Sequence, residues 1–528
     1  MANQMQSNYD VVIIGSGFGG AINACRLAQA GRSVCVLERG KRWGKADFPR
    51  TNSQLARAFW NPKDLGLLDY RVFRRVDVIA GVGVGGGSLV YFNVNRQPPA
   101  SIFENPRWPR SIKKDMLQPY YEMSRAMLEA KPMEPPDGRD FPLRKKAFFD
   151  AVEGSGRDPI LMNIAVYTGP ERANPFSGIK QDGCVYCGNC MLGCHVHAKN
   201  TLDLNYIPVA EQNGAHVFSL REVERIEPID PVEQNGYRVH FKVSGSPDGE
   251  RGSVVGRKLI VSAGTLGTNE LLLRARDVHK TLPRLSPALG QGFSINGDLL
   301  LDGTDKANRV VDPVPGPGII GGVDCGTGEN EIWISDMGYP ESFIWFLEGT
   351  LPTVPRLKNT IAAAWAYLTR TFGFSPPWNY TEGLNRFFAG SASAHYLPYL
   401  GMGTDAGDGK LSLSGGNLEV DWSHRASRKM YQQMEDALVE FSKALGGRYS
   451  KSFYWRWPLR KRFTAHPLGG CHLSDDPAKG VANEWGEVWN YPNLYVSDGS
   501  MVPTAVSVGP SATIAALSER IAEHTVNS

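Results

Sequence analysis

Four cysteines, Cys184, Cys187, Cys190 and Cys194, fall within eleven residues of a 528-residue chain that holds eight in all. Their C-x2-C-x2-C-x3-C spacing is that of the bacterial ferredoxin run that wraps a chain around an iron-sulfur cluster, with His195 standing where that run has proline. Three kinds of chemistry suit the pattern: an iron-sulfur cluster that moves single electrons, a zinc site, or reduced structural thiols. Zinc usually takes two ligand pairs separated by a longer loop, which this compressed spacing does not offer. Cysteine is also often buried without any ligand. His195 and His197 read as solvent-facing or supporting residues rather than as ligands.

A second set of residues suits a dinucleotide. Gly15, Gly17 and Gly20 of "GSGFGG" have G-x-G-x-x-G spacing, and Glu38 stands eighteen residues after Gly20. Glycines at these points let a backbone approach a pyrophosphate at a helix N-terminus, and a carboxylate at the next strand end can accept a ribose hydroxyl. The surrounding elements place them correctly: "YDVVIIG" predicts a buried strand, "AINACRLAQAG" a helix ending at Gly31, and "SVCVLERG" a second strand. In that strand-turn-helix-strand context the pattern predicts dinucleotide binding. Further on, "GVGVGGGSLVYFNVNR" places Gly83, Gly85, Gly86 and Gly87 ahead of Ser88. So many glycines suit neither helix nor strand, which leaves a backbone with a ligand against it or a loose loop.

The remaining chain supplies more α/β character. "AKNTLDLNYIPVAEQNGAHVFSLREVERIE" reads as helix, turn at Gly214 and strands, and "GRKLIVSAGTLGTNELLLRA" as strand, Gly264 and helix. The C-terminal stretch reads as strand, turn and a helix opening at Pro510. Residues 300–460 are irregular, aromatic and rich in glycine and proline. Lys and Arg number 57 against 54 Asp and Glu, a formal charge of +3 that argues against nucleic acid as a partner. The first ten residues carry no basic, apolar leader, and the other four cysteines, Cys25, Cys35, Cys325 and Cys471, are scattered singly. A cytoplasmic protein with reduced thiols is expected.

With these stretches in order, the chain resembles the glucose-methanol-choline oxidoreductase family of FAD enzymes, in its cholesterol oxidase-like branch. Matches fall at 11–40, 81–93, 259–273, 464–471 and 494–520. The resemblance implies an α/β fold: a Rossmann-like FAD-binding domain, discontinuous over 8–100, 200–300 and 463–528, with a sheet-containing α+β substrate domain from 101–199 and 301–462. It implies that Gly15, Gly17, Gly20 and Glu38 hold the ADP half of FAD. Gly83, Gly85, Gly86 and Ser88 would lie along the pyrophosphate and flavin, Val223 would meet the adenine, and Asp498 and Gly499 of "YVSDGSMVP" the ribityl chain and pyrophosphate. The helix that opens at Pro510 would, independently, aim its positive end at the anionic reduced flavin. His466 of "TAHPLGGC" falls on the family's active-site histidine, the natural base for a hydroxyl proton at neutral pH.

Two departures stand out. Gly509 of "SVGPS" occupies the family's second catalytic position, usually Asn or His, and Tyr91 and Phe92 replace the polar and small residues that cholesterol oxidases place near the flavin. Some FAD dehydrogenases of the wider family hold an iron-sulfur cluster in a cysteine run before "AK", here Ala198-Lys199. The expected reaction is oxidation of a bulky apolar alcohol, sterol- or terpenoid-like, by hydride transfer to FAD, with electrons passed to a carrier protein, a quinone or oxygen. The alternative is a flavoprotein that reduces a carbon-carbon double bond or only transfers electrons. Aromatic clusters at Phe343, Trp345, Phe346 and Leu347, and at 452–463, suit an apolar pocket with peripheral membrane contact.

Overall fold

The computed structural model describes residues 5–55, 57–230, 235–246, 249–344, 365, 369, 392–452, 455 and 460–528. Two apolar strands set its first layer. In β1 (Asn8–Ile14) the residues Val11 to Ile14 are almost inaccessible, as is the whole of β2 (Val34–Leu37), so both strands need cover on each face. Helix α1 (Phe18–Gln29) supplies part of that cover. It comes close because Gly20 has no side chain: a Cβ there would lie 2.0 Å from the carbonyl oxygen of Gly15.

Along the chain follow β3 (Val76–Gly81), α2 (Lys114–Met127), α3 (Leu143–Glu153), β4 (His216–Phe218), β5 (Arg221–Pro228), β6 (Tyr237–Val243), β7 (Arg251–Val261) and α4 (Gly264–Leu273). Then come β8 (Leu299–Asp305), β9 (Gly321–Asp324), β10 (Ile332–Asp336), β11 (Leu397–Gly403), α5 (Arg428–Ala444), β12 (Arg448–Ser450), β13 (Arg462–Thr464), β14 (Leu494–Val496) and α6 (Ser511–Asn527). The first sheet has the order β4-β2-β1-β7-β6-β5, with β14 also paired to β7. Pairing is parallel from β4 to β7 and antiparallel from β7 to β5. Helix α6 packs on α1 and α2, and Glu519 binds Arg26 at 2.7 Å. Helix α2 thus joins this layer, although its segment was assigned to the substrate domain on sequence.

The second sheet is antiparallel, in the order β12-β8-β11-β10-β9 with Ile160–Leu161 at the far edge. Helices α3 and α5 cover it, and Phe148, Met434, Leu438 and Phe441 pack with Leu299, Ile334 and Tyr399. The described part of 300–460, read as irregular along the chain, thus supplies the sheet expected of the second domain. Its strands escape pattern reading because β11, "LPYLGMG", is buried throughout and carries Pro398, Gly401 and Gly403. Those glycines have a packing role: a Cβ on Gly403 would lie 2.6 Å from Met434 Cε and 2.7 Å from Met430 Sδ, both on α5.

One buried ion pair ties this sheet to its loops. Arg144 of α3 donates from Nε to Asp336 at 2.8 Å, with both side chains fully buried, and its other nitrogens reach the carbonyls of Pro313, Pro315 and Pro317. Asp336 also accepts the amides of Ile320 and Gly321. Asp336→Ala leaves a charged guanidinium unpaired in the interior, and an equilibrium denaturant titration is expected to show about 3–5 kcal/mol of lost stability. A loss under about 1 kcal/mol would mean that the proline carbonyls suffice for Arg144.

Candidate active site

A cavity of about 690 Å³ opens between the two sheets. Gly15, Ser16, Gly17, Glu38 and Val223 border it from the first sheet and its turns, and Leu300, Leu301, Trp333, Met337, Leu400 and Met402 from the second. His466 lines it as well.

The glycines of the first turn divide by role. Gly15 has φ +92°, and a Cβ would come within 2.2 Å of the Ser262 carbonyl oxygen, so it serves the tight turn. Gly20 serves helix packing and does not line the cavity. Gly17 lines it, has φ −69° and meets only Gly86 Cα, at 4.0 Å, so the fold itself would accept a side chain there. Gly86 touches Gly17 from the second glycine stretch and lines the cavity, whereas Gly83, Gly85 and Ser88 do not. The Ser88 hydroxyl donates to the Gly85 carbonyl at 2.7 Å and accepts the Leu202 amide at 3.0 Å, so it is spent in holding the loop. Glu38 accepts the amide and hydroxyl of Ser16 and the amide of Gly40.

His466 is held by residues that are remote in the sequence. Strand β13 pairs in parallel with β3, which sets Ala465 and His466 beside the second glycine stretch. His466 Nδ1 lies 2.8 Å from Oδ1 of Asp298, and Asp298 Oδ2 accepts the Thr464 hydroxyl at 2.7 Å and the Ala465 amide at 3.1 Å. Nδ1 therefore carries the proton, and Nε2 remains as a lone pair on a ring that faces the cavity. Asp298 follows a turn in which Asn296 and Gly297 have φ +56° and +63°. Asp405 clamps this turn by accepting the Ser294 hydroxyl and the Ile295 and Gly297 amides. Asn296 reaches the other way: Oδ1 accepts the amides of Val506 and Ser507, and Nδ2 donates to the Val508 carbonyl. Gly509 follows and lines the cavity, with no atom within 4 Å of where its Cβ would be.

Asp298, Asn296 and Asp405 escaped sequence reasoning. The Asn-Gly pair of "SINGD" is a turn signal, but nothing local connects it with a histidine 168 residues away. Asp498 and Gly499 do line the cavity. The Asp498 carboxylate accepts the Gly264 amide, the Thr268 hydroxyl and both the amide and hydroxyl of Ser500, which fixes β14 to the start of α4. Burial raises its pKa despite those donors. Pro510 and Ser511 put the N-terminus of α6 at the cavity wall, where its dipole favours negative charge.

In the cysteine run all four thiols are free. They lie within electrostatic reach of one another, and burial, with the neighbouring thiols adding to it, raises the pKa of Cys184 and pushes that of Cys187 up to about 11. Cys190 Sγ accepts from Asn93 Nδ2 and Cys194 Sγ from the Lys199 amide. Among the described residues, no three His, Cys, Asp or Glu side chains converge as a metal centre requires. His195 and His197 are each partly exposed, yet Nδ1 of His195 and both ring nitrogens of His197 are buried without a partner, and burial lowers both pKa values. Lys199 joins the run to the second glycine stretch. Its buried Nζ donates to the carbonyls of Leu89, Tyr91 and Cys190, and burial pushes its pKa down to about 8. Met191, inside the run, lines the cavity.

The expected aromatic lining is met in part, at Phe463 of the 452–463 cluster, of which 453–454 and 456–459 lie outside the described residues. Tyr91, Phe92, Trp333 and Phe463 border the cavity, while Phe343 packs elsewhere, near Leu89 and Leu192. Trp345, Phe346 and Leu347 lie outside the described residues. Among the described residues, no helix is long and apolar enough to cross a membrane.

A turn of glycines at a strand end, an acid on the next strand and a histidine facing the same cavity define a flavin-dependent oxidoreductase site. Family models described as GMC oxidoreductase match residues 9–291 and 418–518. The chain is 31% identical to a cholesterol oxidase of Acinetobacter baumannii over 556 aligned residues, covering 98% of this chain and 95% of that one. It is 24% identical to a long-chain-alcohol oxidase of Arabidopsis thaliana, over 98% of this chain and 67% of the plant protein. The crystal structure of pyridoxine 4-oxidase from Mesorbium loti superposes with a TM-score of 0.65 at 16% identity, over 98% and 99% of the two chains, and shares the fold. The chain belongs to the GMC oxidoreductase family and is an FAD-dependent oxidoreductase of the alcohol-oxidising kind.

The glycine walls fit FAD, because Gly17 leaves open the space that a pyrophosphate needs. Gly17→Val is expected to keep the fold, as its Cβ would meet only Gly86 Cα at an ordinary 4.0 Å, and to lose most bound flavin. Circular dichroism together with flavin content checks it; a variant with full flavin occupancy would show that the cofactor lies elsewhere.

Proposed function

We propose that this enzyme oxidises the hydroxyl of a bulky apolar alcohol, sterol- or terpenoid-like, with His466 as the base. The free Nε2 of His466, in a cavity whose lining includes the apolar side chains of Leu300, Leu301, Ile319, Met337, Leu400 and Met402, carries this reading. Bound FAD supplies a two-electron acceptor for the hydride on the alcohol carbon. The hydroxyl proton goes to Nε2, while Asp298 keeps Nδ1 protonated, orients the ring and favours the imidazolium as it forms. Thr464 and the Ala465 amide keep Asp298 in place. With Gly509 offering no polar group, His466 bears the proton transfer without a second side chain.

Gly15, Gly17, Gly86, Glu38 and Val223 would hold the ADP half of FAD, and Asp498, Gly499 and the start of α6 at Pro510 the ribityl chain and flavin. Gly20, Gly83, Gly85 and Ser88 support those walls from behind. The cysteine run reaches the cavity through Met191 and is tied to the glycine stretch through Lys199; although no three of its thiols converge on one point, an iron-sulfur cluster there would be held by Cys184, Cys187, Cys190 and Cys194 and would supply a one-electron exit to a carrier protein or quinone.

Anaerobic stopped-flow reduction by sterol, terpenoid and long-chain alcohols tests the reaction. His466→Ala is expected to slow flavin reduction by about 10²- to 10⁴-fold with FAD still bound. Asp298→Asn is expected to slow it by up to about 10⁴-fold with little change in substrate dissociation constant, because an amide can place the proton on the wrong nitrogen. Wild-type rates in both variants would move the base elsewhere. For the cysteine run, anaerobically purified protein is expected to contain iron and acid-labile sulfide in proportion to FAD. Near-zero values at full flavin content would leave structural thiols and make oxygen the acceptor.

A further inference from the structure

A second cavity, of about 430 Å³, adjoins the first, and Met162, Trp333 and Val508 line both. Its charged lining consists of Arg96, Lys114, Arg125, Asp324 and Glu331. Arg125 is paired with Glu122, Glu331 accepts the hydroxyl of Ser101, and Asp324 accepts the Gly326 amide. Arg96 and Lys114 have no side-chain hydrogen bond or ion pair to any described residue.

Arg96 sits on the wall between the cavities. Its guanidinium lies 3.5 Å over the Trp333 ring, and Nε is buried without an acceptor. Burial lowers its pKa, against a weaker pull upward from Asp324. Trp333 is fixed in turn: Nε1 donates to the Ser335 hydroxyl at 2.9 Å, and a Cβ on Gly322 would come within 2.4 Å of the indole. A partly desolvated cation on a rigid aromatic wall, with no hydrogen-bonded acid, carries a cost that a bound anion would offset.

We infer that this vestibule takes the carboxylate end of an amphipathic substrate whose apolar body crosses the Met162-Trp333 wall and whose hydroxyl reaches His466. The planar guanidinium of Arg96 suits a carboxylate, with Lys114 as a second charge. The inference rests on the alcohol-oxidising reading for the position of the hydroxyl, but its test needs no turnover.

Equilibrium binding to the FAD-loaded protein, read by calorimetry, compares dodecanoate with methyl dodecanoate, neither of which has an oxidisable hydroxyl. Wild-type protein is expected to bind the acid about tenfold or more tightly than the ester, the range for a charge-assisted hydrogen bond. Arg96→Gln should remove most of that preference while leaving ester affinity unchanged, Lys114→Gln should remove part of it, and added salt should narrow it. Equal affinities in the wild type, no binding of either compound, or an Arg96→Gln variant that keeps the preference overturns the assignment. Should Arg96→Gln not fold, Lys114→Gln and the salt series decide: a preference insensitive to both overturns it. Failure of the alcohol reading has a different signature, in which 12-hydroxydodecanoate binds but leaves the flavin oxidised.

Discussion

The buried carboxylate of Asp298 is the constraint on which the active site depends. A carboxylate without solvent is tolerated only when its oxygens are satisfied. Here the Thr464 hydroxyl, the Ala465 amide and His466 Nδ1 do this, all from three consecutive residues. The requirement works in both directions: the strand that delivers His466 cannot shift without stranding Asp298, and Asp298 cannot move without breaking the 294–297 turn. Asp405 adds a second buried carboxylate behind that turn, its pKa raised by burial against four donors. A base that must meet a hydroxyl within a few tenths of an ångström gains from such over-determination.

The same turn carries the constraint to the opposite wall. Asn296 holds the backbone of 506–508, so the segment bearing Gly509 is set relative to His466 through one fully buried amide side chain. From there the chain enters α6, whose N-terminus borders the cavity, and α6 packs back on α1 through Glu519 and Arg26. Both glycine loops, the histidine and the α6 terminus thus belong to one connected framework, with the second sheet closing it over an apolar face.

Legibility followed the range of the forces involved. The unit with Gly15, Gly17, Gly20 and Glu38 was readable because its strand, turn, helix and packing demands lie within thirty residues. Helix α6 announced itself through Pro510, and His466 through the stretch around it. By contrast, Asp298 and Asn296 act through contacts across more than 160 residues, and a carboxylate after a turn looks like any surface acid until its partners are known. Ser88, expected along the pyrophosphate and flavin, does not line the cavity, and its hydroxyl is taken by Gly85 and Leu202. In β11 the pattern was hidden by buried glycines that admit α5.

The unsubstituted Gly509 bears on how the proton is managed. Among the titratable groups that line the cavity, Asp498 is already filled by four donors from the protein, and Glu38 by three. The Tyr91 hydroxyl donates to the Asn200 carbonyl at 2.7 Å, and burial raises its pKa, so it neither faces the reaction freely nor ionises easily. The walls from the second sheet are mostly apolar, with Trp333 among the aliphatic side chains and the Ser335 hydroxyl accepting from the indole. In the proposed reaction the hydroxyl proton goes to His466 Nε2, whose ring Asp298 orients through Nδ1. At Gly509 the chain leaves open space at the cavity wall and adds no polar atom, so in the proposed reaction this stretch contributes room beside the substrate and no hydrogen bond from a side chain.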